Sequence, residues 1–155
     1  MQDDFGSHPV HSPPHQRHHQ PVVVLVTVCT RERQPLLANP VAMQALYAAW
    51  QQTTTWRVGS YVVMPDHVHL FCSPVMMAEE AVQAWVGYWK RLVGHASPTL
   101  ARVFQKDCWD TQMRSAEHYG RKLDYVRNNP VRKGLVALWP DWPYQGTLNT
   151  FNWIS

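Results

Sequence analysis

Residues Tyr61–Phe71 read YVVMPDHVHLF: an apolar run, a Pro65-Asp66 pair, then His67 and His69 one residue apart in a second apolar run. Proline presets φ and aspartate tolerates the next turn position, so the pair reads as a tight turn between two strands. The flanking segments, WRVGSYVVM and HVHLFCS, are then paired antiparallel. Strand side chains alternate, so His67 and His69 share one face while Val68 and Leu70 point into the core. Imidazoles at i and i+2 on one face are near enough to grip a single ion. Two strand histidines facing solvent would need no explanation, so spacing alone leaves both readings open.

Working outward from the hairpin, PVVVLVTVCT has the Val/Leu/Thr content of a buried strand over about 22–29. NPVAMQALYAAWQQ opens with Asn39 as N-cap and Pro40 at the first helical position, and its apolar residues at 42, 45, 46, 49 and 50 follow helical spacing. A long helix is expected over roughly Ala78 to His95, with Val82, Trp85, Val86, Trp89, Leu92 and Val93 as an apolar stripe closed by Gly94, Ser97 and Pro98. RVFQKDCWDTQMR reads as a short fourth strand. Ser115 caps a last helix that ends at NNP, since the residue before proline is pushed out of helical geometry. The order β-α-β-β-α-β-α predicts an α+β fold: a ferredoxin-like antiparallel sheet with helices on one face, plus an added C-terminal helix.

The 155 residues suit one domain with a single core. Residues 1–20 hold five of the nine histidines and three prolines with little to bury, and read as a disordered tail. The folded domain is expected over 21–134, with the Trp-rich, irregular 135–155 wrapping the core. No apolar run is long enough to cross a bilayer, and MQDDFGSHPV lacks a signal peptide's basic start and apolar middle. Cys29, Cys72 and Cys108 form neither a disulfide framework nor a zinc pair, so the expectation is a cytoplasmic protein. The net charge of +3 is small, but Arg114 to Lys133 holds six basic residues against two acidic ones. Such clustering suits either a polyanion or a solvated helix face.

In the last helix, SAEHYGRKLDYVRNNP, Tyr119, Leu123 and Val126 form the buried stripe. Tyr125 falls about 120° away, on a flank shared with His118, Lys122 and Asn129. That flank offers a phenol nucleophile, a basic residue for a phosphate, a histidine, and an amide oxygen able to coordinate a metal. Each also has an ordinary reading: a surface tyrosine, a solvated lysine, a first-turn histidine, an asparagine that ends its helix.

VVMPDHVHLF resembles the HUH motif (histidine, bulky hydrophobic, histidine) of single-tyrosine transposases, and LDYVRNNPVRKGLV followed by WPDWPYQG is similar to the tyrosine segment of their REP-associated branch. VTVCTRERQPLLANP and CWDTQMR also sit where that branch has similar segments, so the resemblance covers about residues 22–146. It implies an HUH nuclease domain that cleaves single-stranded DNA, usually near a hairpin, through a 5′-phosphotyrosine intermediate, and rejoins strands by the reverse step. It implies His67, His69 and Asn129 as ligands of a divalent metal, Mg2+ or Mn2+, and Tyr125 as the nucleophile. The family often has Asn where this chain has Asp66, and the extra carboxylate could tune metal affinity. His118 and Lys122 receive no role from the resemblance.

The chemistry suits these residue types. A cation beside the scissile phosphate neutralises charge that develops in the transition state. A phenol must lose its proton to attack, and the aryl phosphate it forms is a good leaving group for rejoining. Two imidazoles suit manganese or zinc better than magnesium, which prefers oxygen ligands, so manganese is expected to bind tightly in vitro. Arg114, Lys122, Arg127, Arg132 and Lys133 are the expected DNA contacts. Trp139 and Trp142 are candidate stacking platforms, whereas Trp85 and Trp89 lie on a core stripe. The implied partner is single-stranded DNA with REP-like hairpins. The implied state is a monomer, and the short link from CWDTQMR to the Tyr125 helix agrees with a site made within one chain. Two other readings stand beside this: a nucleic-acid-binding module that keeps the fold without the reaction, and a zinc hydrolase using His-x-His. The last needs a longer chain and further ligands at strand ends.

Overall fold

A computed structural model describes Pro9, His11, Pro14, residues 21–76 and residues 80–153. Its elements in chain order are β1 (Val24–Cys29), α1 (Pro40–Gln52), β2 (Trp56–Val63), β3 (His67–Pro74), α2 (Val82–Ala96), β4 (Trp109–Gln112), α3 (Ala116–Arg127), α4 (Asn129–Arg132) and β5 (Gln145–Thr147). All strand pairs are antiparallel, and the sheet order is β4-β1-β3-β2-β5. The first four strands have the ferredoxin-like arrangement expected from the sequence.

Both faces of the sheet are covered. On one, Val24, Val26 and Val28 of β1 and Val68, Leu70 and Cys72 of β3 pack against α1 and α2 through Leu46, Trp50, Trp85 and Trp89. Trp50 and Trp89 meet edge to face with ring centroids 6.0 Å apart. Burying one such large apolar side chain contributes roughly 1.5–3 kcal/mol, and these rings anchor the core. On the other face Val62, Met64 and Phe71 pack with Val126, Trp142, Tyr119 and Leu123, so α3 is the helix laid across the far side. A register shift between Val58 and Tyr61 puts both residues on the α1/α2 side of β2. One bulge thereby reverses the alternation midway along the strand.

Caps fall where the sequence places them. The Asn39 side chain accepts from Ala42 N–H, and Ser115 Oγ accepts from His118 N–H. Three expectations need correction. The second helix begins at Val82 rather than near Ala78, a position outside the described residues. The last helix does not simply stop at NNP: after Asn128 the chain turns and Asn129-Pro130 opens α4, because proline is as well suited to begin a helix as to break one. The Trp-rich end is not wholly irregular, since β5 adds a fifth strand to β2. Gln145-Gly146-Thr147 has no apolar alternation to reveal it. Phe151 seats on Gly59, where a Cβ would lie 2.5 Å from the ring.

The expected tail, 1–20, lies mostly outside the described residues, but His11 bridges Asp107 at 2.8 Å and Asp110. No helix among the described residues is long and apolar enough to cross a membrane.

Candidate metal and nucleophile site

The β1–β3 register sets Thr27 opposite His69 and Cys29 opposite His67. Both imidazoles therefore point to the α3 side of the sheet, where they are buried, 0% and 3% exposed. The solvent-facing reading of the pair is excluded. Their Nε2 atoms stand 3.2 Å apart. Asn129, 2% exposed, brings Nδ2 to 3.0 Å from His67 Nε2. Three donor groups from β3 and the α3–α4 junction thus meet at one buried point.

The partners behind the rings decide what the donors can do. Asp66 Oδ1 takes the Nδ1–H of His67 at 2.8 Å, which leaves Nε2 as a lone pair. Thr27 Oγ1 lies 2.8 Å from His69 Nδ1, and a hydroxyl serves in either sense. When Thr27 donates, His69 Nε2–H can bond to His67; when it accepts, both Nε2 lone pairs face one another, an arrangement a shared cation relieves.

The separation also fits. Imidazole nitrogens about 2.0–2.1 Å from one ion stand about 3 Å apart at angles between right-angled and tetrahedral. A flip of the Asn129 amide presents Oδ1 to the same point. Among the described residues no group of three His, Cys, Asp or Glu side chains could hold a metal; the third group at this point is the Asn129 amide.

Electrostatics hold His69 neutral and Asp66 ionised. Burial holds the His69 pKa well below its ordinary value, with His67, Arg132 and Arg33 adding repulsion. Burial alone would raise the Asp66 pKa, but hydrogen bonds from His67 and Arg33 outweigh it and bring the carboxyl down to about 2. Arg33 Nε donates to Asp66 Oδ2 at 3.0 Å.

A pocket of about 110 Å³ opens beside the histidines, lined by Thr27, His69, Trp109, Lys122, Tyr125 and Val126 among others. Tyr125 is 44% exposed at its rim, and the Arg132 guanidinium lies 3.8 Å over the phenol ring. The structure therefore brings His67, His69, Asn129, Tyr125, Lys122 and Arg132 together. It leaves His118 outside: that ring caps the start of α3, with Nδ1 accepting Arg114 N–H at 3.0 Å, and burial followed by the nearby Arg114, Lys122 and Arg121 lowers its pKa.

Among the expected DNA contacts, Arg114 and Lys122 are exposed, Lys133 is half-buried, and Arg127 lies 4.8 Å over the Trp139 ring. Trp142 is not a stacking platform. It is buried and donates from Nε1 to Val63 O at 3.0 Å. Sequence reasoning missed Thr27, Arg33 and the Arg132–Tyr125 contact. Thr27 is a lone hydroxyl in the run Val22–Val28, a signal that gains meaning only once the register is known.

No family model matches the chain. The resemblance read from the motifs is shared by curated relatives. The chain is 27% identical over 89 residues, 57% of its length, to a protein of Escherichia coli (strain K12) named REP-associated tyrosine transposase. A relative in Haemophilus influenzae is 28% identical over 96 residues. The chain spans about half the length of the curated relatives it matches, 53% in each case. A solved structure described as the REP-associated tyrosine transposase bound to a REP hairpin superposes with a TM-score of 0.68 at 24% identity, covering 84% of this chain and 80% of that one. That likeness carries the fold.

Proposed function

We propose that this chain cleaves and rejoins single-stranded DNA through Tyr125, with a divalent cation held by His67, His69 and Asn129. One observation carries the reading: three donors converge on a buried point, and an exposed tyrosine stands at the rim of the pocket that His69 lines. Relatives named as REP-associated tyrosine transposases support it.

Magnesium or manganese bound there would neutralise charge on the scissile phosphate and orient it. The chain's own residues do the rest. Tyr125 Oη attacks phosphorus and gives up its proton to solvent; the new phenol O–P bond forms as the bond to the 3′ oxygen breaks and that oxygen takes a proton, leaving a 5′-phosphotyrosine and a free 3′-hydroxyl. Lys122, lining the same pocket, steadies a phosphate oxygen. Arg132, stacked on the phenol, fixes the ring and adds positive charge beside the reacting centre. Arg114, Arg127 and Lys133 track the backbone leading in and out. All these groups come from one chain, so a monomer is sufficient. DNA bearing REP-like hairpins, the ligand in the solved neighbour's description, is the proposed substrate.

Covalent trapping tests this. Labelled single-stranded hairpins and Mn2+ should yield a protein-linked label on a denaturing gel. Tyr125→Phe should abolish the adduct while leaving the unfolding temperature unchanged, and His67→Ala should reduce it at least a hundredfold. Binding without any adduct across a broad hairpin set would instead favour a binding module without strand cleavage.

A further inference from the structure

Tyr125, Asn129 and Arg132 follow i, i+4, i+7 spacing across the α3–α4 junction. Asn128 leaves helical geometry at ψ 1°, yet Arg132 N–H still donates to Asn128 O at 2.9 Å, so the stripe carries over from one helix to the next. Pro130 sits in the first turn of α4, where its missing N–H costs nothing. The three side chains therefore end close together. Asn129 lies on His67 Nε2, and the Arg132 guanidinium lies 3.8 Å over the Tyr125 ring.

That guanidinium is not spent on the fold. Its Nε is buried and meets no acceptor among the described residues. An aromatic face attracts the charge but offers no lone pair to the N–H fork. The indoles of Trp50, Trp85 and Trp89 also lack acceptors, but they are neutral and sealed in the core, whereas Arg132 is charged and half-buried. A buried charged donor without an acceptor destabilises a fold, and its persistence points to a ligand that completes it.

The other cations of the site are differently placed. Arg33 is committed to Asp66. Lys122 lines the Tyr125 pocket with an exposed ammonium, a point charge without a fork. Arg132 is near enough to buried His69 for its charge to oppose protonation of that ring. An uncommitted fork thus stands beside both the nucleophile and the converging donors.

We propose that Arg132 is a latch worked by the substrate: a DNA phosphodiester takes its N–H fork in a bidentate grip, the guanidinium leaves the Tyr125 ring to make that grip, and the phenol is freed to turn toward phosphorus. The inference rests on the proposed function and deepens it. Hydrogen bonds to a charged acceptor are roughly twice as strong as neutral ones, and a guanidinium matches two phosphate oxygens at once. A cation over an exposed ring is the weaker contact, so an arriving phosphate wins the exchange. Until then the nucleophile stays held, with one face covered.

The test follows the Arg132 Nε–H by NMR in the isotope-labelled, metal-free full chain, with the resonance identified by its absence from Arg132→Lys. The probe is an unpaired oligothymidylate. Tyr125→Phe, which keeps a ring and removes the chemistry, is measured beside the parent. Before the probe is added, the Arg132 side chain should show a through-space contact with the ring at position 125. With the probe bound, that contact should be lost and Nε–H should move downfield as it gains an acceptor. A stationary Nε–H, a ring contact that persists, or no response of any resonance to the probe overturns the proposal. Adduct formation with labelled hairpins and Mn2+ supplies a second readout. Arg132→Gln should slow it about 100–1,000-fold, as removal of one transition-state donor does. Arg132→Lys should recover little of this, since an ammonium lacks the fork. Methylguanidinium in solution should speed Arg132→Ala and leave the parent unchanged, a rescue that a purely structural arginine would not show. A loss under about threefold in Arg132→Gln, or no rescue, overturns the latch. If the variants fail to fold, the resonance in the parent decides. If the parent forms no adduct while Nε–H responds as expected, strand transfer fails and the phosphate latch stands. An adduct with a stationary Nε–H sinks the latch alone.

Discussion

At the scale of single residues, the proposed site depends on what stands behind its two imidazoles. Thr27 is the least conspicuous of these groups and has the clearest consequence. Only when its hydroxyl accepts from His69 Nδ1 does His69 offer Nε2 as a lone pair. Thr27→Val keeps the shape and removes that acceptor, so the ligating tautomer would bury an unsatisfied N–H, at a cost of about 1–3 kcal/mol. The expected outcome is a Mn2+ affinity lower by about 10–100-fold in a calorimetric titration, in the range seen when a ligand is deprived of its supporting partner. An unchanged affinity would mean that another group orients the ring. Asp66 serves His67 in the same way, and hydrogen bonds from His67 and then Arg33 hold it ionised far into acid.

At the scale of elements, α3 has two tasks: Tyr119, Leu123 and Val126 bury it on the sheet, and Tyr125 stands on its open flank. Helical periodicity made both faces readable, and the cap at Ser115 was equally legible. The α3–α4 junction was not, because a sequence ending NNP fits a stop as well as a fresh start; only the packing of Asn129 against His67 decides. The same holds for β5 and for the pairing of Thr27 with His69, which are matters of register between distant segments rather than local pattern. The cap provides an element-scale prediction. Ser115→Ala removes the acceptor for His118 N–H and should cost about 1 kcal/mol, lowering the unfolding midpoint by about 2–4 °C. Adduct yield at 25 °C should be unaffected, since Tyr125 lies nearly three turns away; a large loss would show that the cap also sets the tyrosine's position.

At the scale of the whole molecule, the sheet carries two unlike faces, an aromatic core under α1 and α2 and, under α3, a smaller apolar cluster bordered by the His67–His69 pair and the pocket beside it. Burying neutral His69 makes global stability depend on pH. Its folded pKa lies below the ordinary 6.5, so unfolded chains take up the proton first as the medium is acidified. That contribution is complete above pH 6.5 and is lost progressively below it; Asp66 adds a second loss between pH 3.8 and about 2. Thermal unfolding without added metal should show a lower midpoint at pH 5 than at pH 7.5. His118 acts in the same sense and His11, paired with Asp110, in the opposite one, so equal midpoints in a His11→Ala background would mean that neither His69 nor His118 is held neutral by the fold.

The three cysteines lend the fold a practical property. All are buried, and burial pushes the Cys72 thiol well above its ordinary pKa and Cys108 up to about 12. Thiol reagents act on the exposed thiolate, so the native surface presents them with almost no target. A single cysteine introduced at an exposed position would then be the one fast-reacting sulfur, a handle for a fluorophore at a chosen place on the surface. The native three would be silent until the whole domain opens, making their labelling rate a clock for global unfolding.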